Sequence, residues 1–372
     1  MKNTFGSSVS LTIFGESHGP AIGAVLDGLA AGIPVDEAFI AGRMDKRRAR
    51  GDGLSTGRQE PDVVEFLSGV YRGHTTGTPV TMMIRNTAQR SGDYAKTAGL
   101  ARPGHADYAA HQKYGGYEDF RGGGHFSGRL TAPLVAAGAL CESILAAKGI
   151  LVGTQILTLA GVGALLPFSR DEETLKAQIR ALQARPGFAL VDPANEESMK
   201  NAVRAAAAEG DSVGGVLETA IAGLPAGVGE PFFDSVESTL AHLLFSIPAV
   251  KGVEFGKGFA MAGLRGSQAN DPLAVKDGRV VTLTNNNGGI NGGVTNGMPV
   301  VFRAAYKPTP SIYKPQHTVD LSTGQEAELQ IQGRHDPCIV PRAAVVQTAA
   351  AAFGMLDLLT ARYGTLWQKE GL

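Results

Sequence analysis

Five consecutive residues, Gly15-Glu16-Ser17-His18-Gly19, set a carboxylate, a hydroxyl and an imidazole side by side between two glycines. The glycines permit positive φ and let a ligand approach the backbone. Histidines recur in similar company. His105 stands in Arg102-Pro103-Gly104-His105-Ala106-Asp107, His125 follows Gly122-Gly123-Gly124, and His335 lies in Gly333-Arg334-His335-Asp336-Pro337. Imidazole titrates near neutrality and is the usual proton shuttle. One such loop histidine reads as structural; several beside Arg and Asp read as a site. Cations accompany them: Arg43, Lys46, Arg47, Arg48, Arg50 and Arg58 in one run, then Arg102, Arg121, Arg129, Arg334 and Arg342 near the histidines. Guanidinium groups pair fork-like with phosphate and carboxylate, so a small polyanionic ligand is expected. Lys307-Pro308-Thr309-Pro310-Ser311 adds a rigid loop with one cation and two hydroxyls, suited to a phosphate.

Elements to carry these groups can be read from periodicity and caps. Two short strands flank the 15–19 loop within residues 5–30. A short helix runs from Ile33 to Arg48, and strands cover Val63–Leu67 and Val80–Ile84. Residues 86–129 are polar and glycine-rich, too long for an idle loop and so expected to be functional. Thr131–Lys148 reads as a buried helix. Ser169-x-x-Glu172 and Asp234-x-x-Glu237 have the capping-box pattern and open helices to Arg185 and through Phe245; another helix covers Glu196–Glu209. Val213–Ile221 and Val280–Leu283 look like strands, and Pro341 opens a long last helix through Leu359. Helices and strands mix without βαβ alternation and without an evident repeat, which predicts one α+β unit over 1–372.

Composition narrows the classes. The chain has 372 residues, 43% hydrophobic and 19% charged, enough for a large core. A net charge of −1 argues against nucleic-acid binding through overall charge. Two cysteines, Cys141 and Cys338, form no disulfide framework and fit a reducing cytoplasm. No signal-peptide core and no unbroken apolar run of about 20 residues is seen, so no membrane span is expected. The absence of H-E-x-x-H and C-x-x-C argues against a metal site, and without a Walker loop or a G-x-G-x-x-G after a strand no Rossmann unit holds a nucleotide. Gly15–Gly19 also fits the G-x-S-x-G elbow of serine hydrolases. Yet it comes after too few strands, and Gly19, Pro20 and Gly23 follow where a helix belongs. A non-catalytic anion- or nucleic-acid-binding module using the arginine run is the alternative of a different class.

Longer segments carry a resemblance. FGESHG at 14–19, RPGHADY at 102–108, GGGHFSGRLTAP at 122–133 and GRHDPC at 333–338 resemble the signature segments of the chorismate synthases, in the family's order and across nearly the whole chain. Glu60-Pro61-Asp62, Thr75-Thr76-Gly77-Thr78-Pro79 and the 307–311 loop also match. The resemblance implies a β-α-β sandwich with helices between antiparallel sheets, a homotetramer, and a cytoplasmic enzyme of aromatic amino acid biosynthesis. The implied reaction is a 1,4-anti elimination of phosphate from 5-enolpyruvylshikimate 3-phosphate, dependent on reduced FMN. NADPH is implied as a source of reducing equivalents, with an outside flavin reductase because no added domain is evident. Carried over residue by residue, His18 serves the departing phosphate and His105 protonates the flavin. Asp336, relayed with Ser17, assists removal of the substrate proton. Arg47, Arg48, Arg102, Arg129, Arg334 and Arg342 hold anionic groups. The implied FMN contacts are His125, Phe126, Ser127, Pro248, Ala249, Gly292, Lys307, Pro308, Thr309, Pro310, Ser311 and Arg334. The chain departs from the family where many members read Arg-Ser-Ser at 125–127, asparagine at 248, serine at 310 and arginine at 53.

Overall fold

The computed structural model describes residues 3–49, 54–55, 61–87, 99–276, 278–331, 333 and 335–371. Strands β1 (Thr4–Phe5), β2 (Ser10–Gly15) and β3 (Ala21–Asp27) lead to helix α1 (Glu37–Arg47) and strand β4 (Glu65–Ser68). A small hairpin, β5 (Val70–Tyr71) and β6 (His74–Thr75), then turns into β7 (Val80–Arg85). These strands form an antiparallel sheet in the order β1-β2-β3-β7-β4. Helix α2 (Asp107–Tyr114) lies in the segment read as a long loop, and α3 (Thr131–Ala147) follows.

The rest of the chain builds a second sheet. Its strands are β8 (Leu151–Leu159) and β9 (Val162–Gly163), then, after α4 (Glu172–Ala184) and α5 (Glu196–Ala208), β10 (Gly215–Ala222). Helix α6 (Val236–Ser246) and β11 (Val250–Phe255) precede the short α7 (Gly266–Ala269). Two hairpins follow, β12 (Leu273–Lys276) with β13 (Arg279–Thr282) and β14 (Ile290–Asn291) with β15 (Val294–Thr295), before β16 (Val300–Tyr306). The hairpin of β17 (Gln316–Asp320) and β18 (Gln325–Leu329) precedes α8 (Val340–Tyr363). The second sheet runs β11-β16-β10-β8-β9, also antiparallel.

Strand alternation points one face of each sheet inward. Ile22, Ala24 and Leu26 of β3 are buried, as are Val300, Phe302, Ala304 and Tyr306 of β16. Between the sheets lie α3 and α8. Both are apolar on nearly every side, which only burial on every side accommodates. They are long and apolar enough to cross a membrane by composition, but the tested windows, one of them reaching into α3, are 83% and 100% buried in this core. At Gly138 the two helices touch through backbone: an added Cβ would sit 2.5 Å from the Ala349 Cβ. Helix α4 covers the outer face of the second sheet, setting Leu175, Ile179 and Leu182 against Leu151, Ala220 and Ala222. The expected sandwich of helices between antiparallel sheets is therefore present, with an outer helical layer on one side.

Two helix caps differ from the sequence reading. Asp171, not Ser169, accepts the Thr174 amide, and Ser235, not Asp234, accepts the Ser238 amide. In each case an oxygen-bearing residue next to the first helical turn outcompetes a candidate one or two positions earlier.

The chain also contains a repeat that the sequence reading missed. The order β2-β3-β7-β4 in one sheet corresponds to β8-β10-β16-β11 in the other. The hairpins before β7 and β16 match residue for residue at Gly69/Gly289, Gly73/Gly293, Thr75/Thr295, Gly77/Gly297, Pro79/Pro299 and Val80/Val300. Their bonding is the same. Thr75 Oγ1 accepts from Ile33 N at 2.9 Å and donates to Ala30 O at 2.6 Å. Thr295 Oγ1 accepts from Val228 N at 2.9 Å and donates to Pro225 O at 2.7 Å. Matches spaced among turn residues leave a hydrophobicity scan nothing to find.

The first strands are tied to the last two helical segments. The buried Asp357 carboxylate of α8 accepts the backbone N–H groups of Ser8 and Val9 at 2.8 Å each and that of Ser7 at 3.1 Å, fixing the entry to β2. Gln368 accepts from Ala30 N at 2.8 Å and donates to Gly28 O at 3.1 Å.

Candidate active site

The link between β2 and β3 is the Glu16–Pro20 turn, held from two sides. Ser17 N donates to Gly124 O at 3.1 Å, and a ring nitrogen of His125, Nδ1, donates to Gly15 O at 2.7 Å. From the other side Asn86, just past β7, donates through Nδ2 to Glu16 O at 3.1 Å and Gly19 O at 2.9 Å. Ser17 and His18 are both buried. Ser17 Oγ lies 3.0 Å from His18 Nδ1 and 3.2 Å from the carbonyl oxygens of Arg121 and Gly122. Carbonyls accept only, so the Ser17 proton goes to them and His18 Nδ1–H donates to Ser17. Among the described residues no base takes the serine proton, which argues against the hydrolase-elbow reading. Gly122 covers the imidazole: with φ +59°, an added Cβ would fall 2.3 Å from His18 Cε1.

The glycine turn at 121–126 lies beside a cleft of about 1490 Å³. Its walls gather much of the predicted site from segments distant in sequence: Arg102 and His105; His125, Phe126 and Ser127; Pro248 and Ala249; and Lys307, Thr309, Pro310 and Ser311. Glu16 and His335 also line it. Ser17, His18, Pro308, Asp336 and the remaining described arginines of the predicted site are not among the lining residues. Gly292 is on the β14–β15 hairpin and is likewise outside that lining. Arg334, with Arg50, Gly53 and Arg58, lies outside the described residues.

His105 is the best-defined titratable group in the cleft. Its Nδ1 is 3.1 Å from Pro103 O and its Nε2 2.9 Å from Ser311 Oγ. The carbonyl needs a donor, so Nδ1 carries the proton and Nε2 accepts from the serine. Burial, then the charge of Arg102, push its pKa from 6.5 to about 4. At neutral pH the ring is uncharged. Arg102 is clamped by Asp107 through Nε at 2.7 Å and Nη2 at 2.8 Å. Burial opposes ionisation of that carboxyl, but the Arg102 bonds prevail and hold it below the usual range. Lys307 donates to Gly104 O at 2.5 Å, and burial together with the Lys251 charge lowers its pKa.

The other described arginines of the predicted site bond within the protein. Arg47 is buried and bonds Thr131 Oγ1 at 2.9 Å, Gly128 O at 3.0 Å and Asp62 at 3.2 Å. Arg129 reaches the same buried Asp62 carboxylate and Asn86 Oδ1, the latter at 3.1 Å. Arg342 pairs with Asp336 and donates to Arg47 O at 2.8 Å. Arg48 is partly exposed beside Asp45 at 3.4 Å. The direct Ser17–Asp336 relay is not made among the described residues, since Ser17 turns to His18 and the 121–122 carbonyls. Asp62 and Asn86 are structural partners of the site that sequence reasoning did not single out. Asp62 falls inside the quoted Glu60-Pro61-Asp62 match, and Asn86 opens the segment marked as functional; neither carries a signal in itself.

Comparison with known proteins agrees. The sequence profile described as chorismate synthase matches residues 9–360. The chorismate synthase of Korarchaeum cryptofilum is 46% identical over 356 residues, covering 95% of this chain and 96% of its own length. That of Chitinophaga pinensis is 44% identical over 357 residues, covering 96% of each. A crystal structure of chorismate synthase superposes with a TM-score of 0.75 at 29% identity, over 97% of this chain and 94% of that one. With that coverage from end to end, and with cleft residues drawn from five of the matching segments, the chain belongs to the chorismate synthase family, carbon–oxygen lyases that complete the shikimate pathway.

Proposed function

We propose that the cleft carries out the reduced-FMN-dependent 1,4-anti elimination of phosphate from 5-enolpyruvylshikimate 3-phosphate. The observation that carries this reading is the gathering of Lys307, Lys251, Arg102 and His105 on the walls of one cleft. Cationic groups collected on one cleft favour an anionic ligand. Thr309 Oγ1 supports a phosphate there as well, being buried with no hydrogen-bond partner among the described residues. These groups fit the anionic end of FMN, with His125, Phe126, Ser127, Pro248, Ala249 and Ser311 along the same walls. When bound, reduced flavin supplies electron density that helps the allylic phosphate leave and recovers it afterwards.

The protein's own part is binding, orientation and protons. His105 begins uncharged, and a phosphate nearby would raise its proton affinity, turning it into an acid where negative charge arrives. His18, oriented by the Nδ1 contact with Ser17, is the group for a proton bound for the departing phosphate. Asp336, oriented by Arg342, is the carboxylate for the substrate proton. Arg47, Arg48, Arg102, Arg129, Arg334 and Arg342 supply the cationic surroundings. NADPH and an outside flavin reductase belong to this reading as the route to reduced FMN. So does a homotetramer, supported by Phe232, Phe233 and Phe259, which stand 87%, 90% and 86% exposed. A cytoplasmic location is supported by two free, buried thiols.

The test is anaerobic addition of reduced FMN and 5-enolpyruvylshikimate 3-phosphate to folded protein. Phosphate and chorismate are expected in equal amounts; release of neither ends the reading.

A further inference from the structure

Asn86 occupies a position that the chemistry described so far does not use. Its carboxamide makes three bonds: Nδ2 to Glu16 O at 3.1 Å, Nδ2 to Gly19 O at 2.9 Å, and Oδ1 from Arg129 Nε at 3.1 Å. Its backbone N–H adds a fourth, to Pro20 O at 3.1 Å. The partners fix the amide's orientation. Two carbonyls can only accept and a guanidinium can only donate, so the flipped amide would lose all three side-chain bonds. The two carbonyls bracket Ser17 and His18. Arg129 in turn is held by the buried Asp62 carboxylate, which also binds Arg47. Asn86 thus joins the turn carrying His18 to the buried arginine pair, and it lies at the end of β7, a central strand of the first sheet.

Few side chains can fill this place. An amide offers two donors and an acceptor on a short stem. Aspartate keeps the acceptor and sets a charge against two carbonyls. Alanine leaves both carbonyls and the guanidinium Nε to find other partners.

We infer that Asn86 is a positioning residue for the elimination, setting the His18 imidazole through the 16–19 backbone. This rests on the role proposed for His18. It predicts coupling rather than a simple loss: Asn86 matters only while there is an imidazole to position.

The experiment is a double-mutant cycle with His18→Ala and Asn86→Ala, read as kcat and as kcat/KM, with FMN affinity measured by titration of the same proteins. Asn86→Ala alone is expected to lower kcat by about 10-fold or more, within the range of coupled contacts, and to leave FMN affinity within about 2-fold because Asn86 does not line the cleft. In the His18→Ala background the same change should cost less than about 3-fold. Additive losses, or a kcat near wild type for Asn86→Ala, overturn the proposal. Should Asn86→Ala not fold, Asn86→Asp closes the same cycle at unchanged size, and additive losses there overturn it equally. The His18 role fails by a different result: near-wild-type turnover of His18→Ala alone. Imidazole NMR of the 15N-histidine-labelled protein gives a readout besides activity. The His18 resonance should shift in Asn86→Asp while that of His105 stays in place; movement of neither overturns the proposal.

Discussion

The two halves of the molecule share a plan and spend it differently. In the first, β2 passes to β3 through the turn that carries Ser17 and His18; in the second, β8 passes to β10 through residues 160–214, which form β9, α4 and α5 and cover the outside of the sheet. One connection is a short turn holding a buried serine and histidine, and the other is an outer helical layer. The later connections both reach the cleft. Residues 86–130, between β7 and α3, bring Arg102, His105 and His125 to the cleft, and residues 307–339, between β16 and α8, bring Lys307, Ser311 and His335. These two links meet at the His105–Ser311 bond and at the backbone bond from Ala101 N to Val319 O, 3.1 Å. The repeated strands and hairpins are scaffold, and the walls of the cleft come largely from what joins them.

That division can be broken by substitution. The largest effect is expected in a link. His105→Ala should cut turnover by about 100-fold, as for a general acid–base group, while the protein still melts cooperatively; near-wild-type turnover would return the ring to a structural role. The same histidine gives the next effect, in the pH dependence of stability. Its pKa is about 4 when folded against 6.5 when unfolded, so the unfolded chain takes up a proton that the native state refuses. Stability should therefore fall as pH drops from 6.5 towards 4, by about 2 kcal/mol from this group. Comparing wild type with His105→Gln by denaturant titration across that window should show the slope removed.

The hairpins give a smaller effect with a sharper meaning. Thr75→Val and Thr295→Val each leave a buried N–H and a carbonyl unpaired, at a cost of about 1–3 kcal/mol. If the halves are equivalent, the two costs agree within about 0.5 kcal/mol. One neutral result would show that the hairpins only look alike. Smallest is His125→Ala, which removes a cleft-wall group bonded to Gly15 O; FMN affinity should weaken by about 3- to 10-fold. Unchanged flavin titrations would place the cofactor elsewhere along the cleft.

The elements were largely legible in the sequence because burial imposes periodicity. Residues 131–148 and the run after Pro341 read as helices for the same reason that they pack as the core. The catalytic surroundings were legible as residue types and not as geometry. His18 reads as a candidate from its residue type, but nothing in Gly15–Gly19 tells that Gly122 lies over the ring. Arg47 and Arg129 read as ligand-facing cations. They turn inward because Asp62, with φ of 47°, offers a buried carboxylate to both, and no local pattern announces such a pairing. Helix α2 within 86–130 escaped because its apolar side is only Ala110 deep. Asn86 and Asp62 are invisible for a simpler reason: their value lies wholly in partners far away in sequence.

The anchoring of residues 7–9 by Asp357 has a consequence for how the protein is made. The strand that leads into the His18 turn is made before helix α8, yet the carboxylate that fixes its entry sits on that helix. Contacts separated by nearly the whole chain form late and slowly. The 16–20 turn is thus made well before the clasp that fixes its leading strand, and that strand gains its full set of partners only once helix α8 has been made and packed.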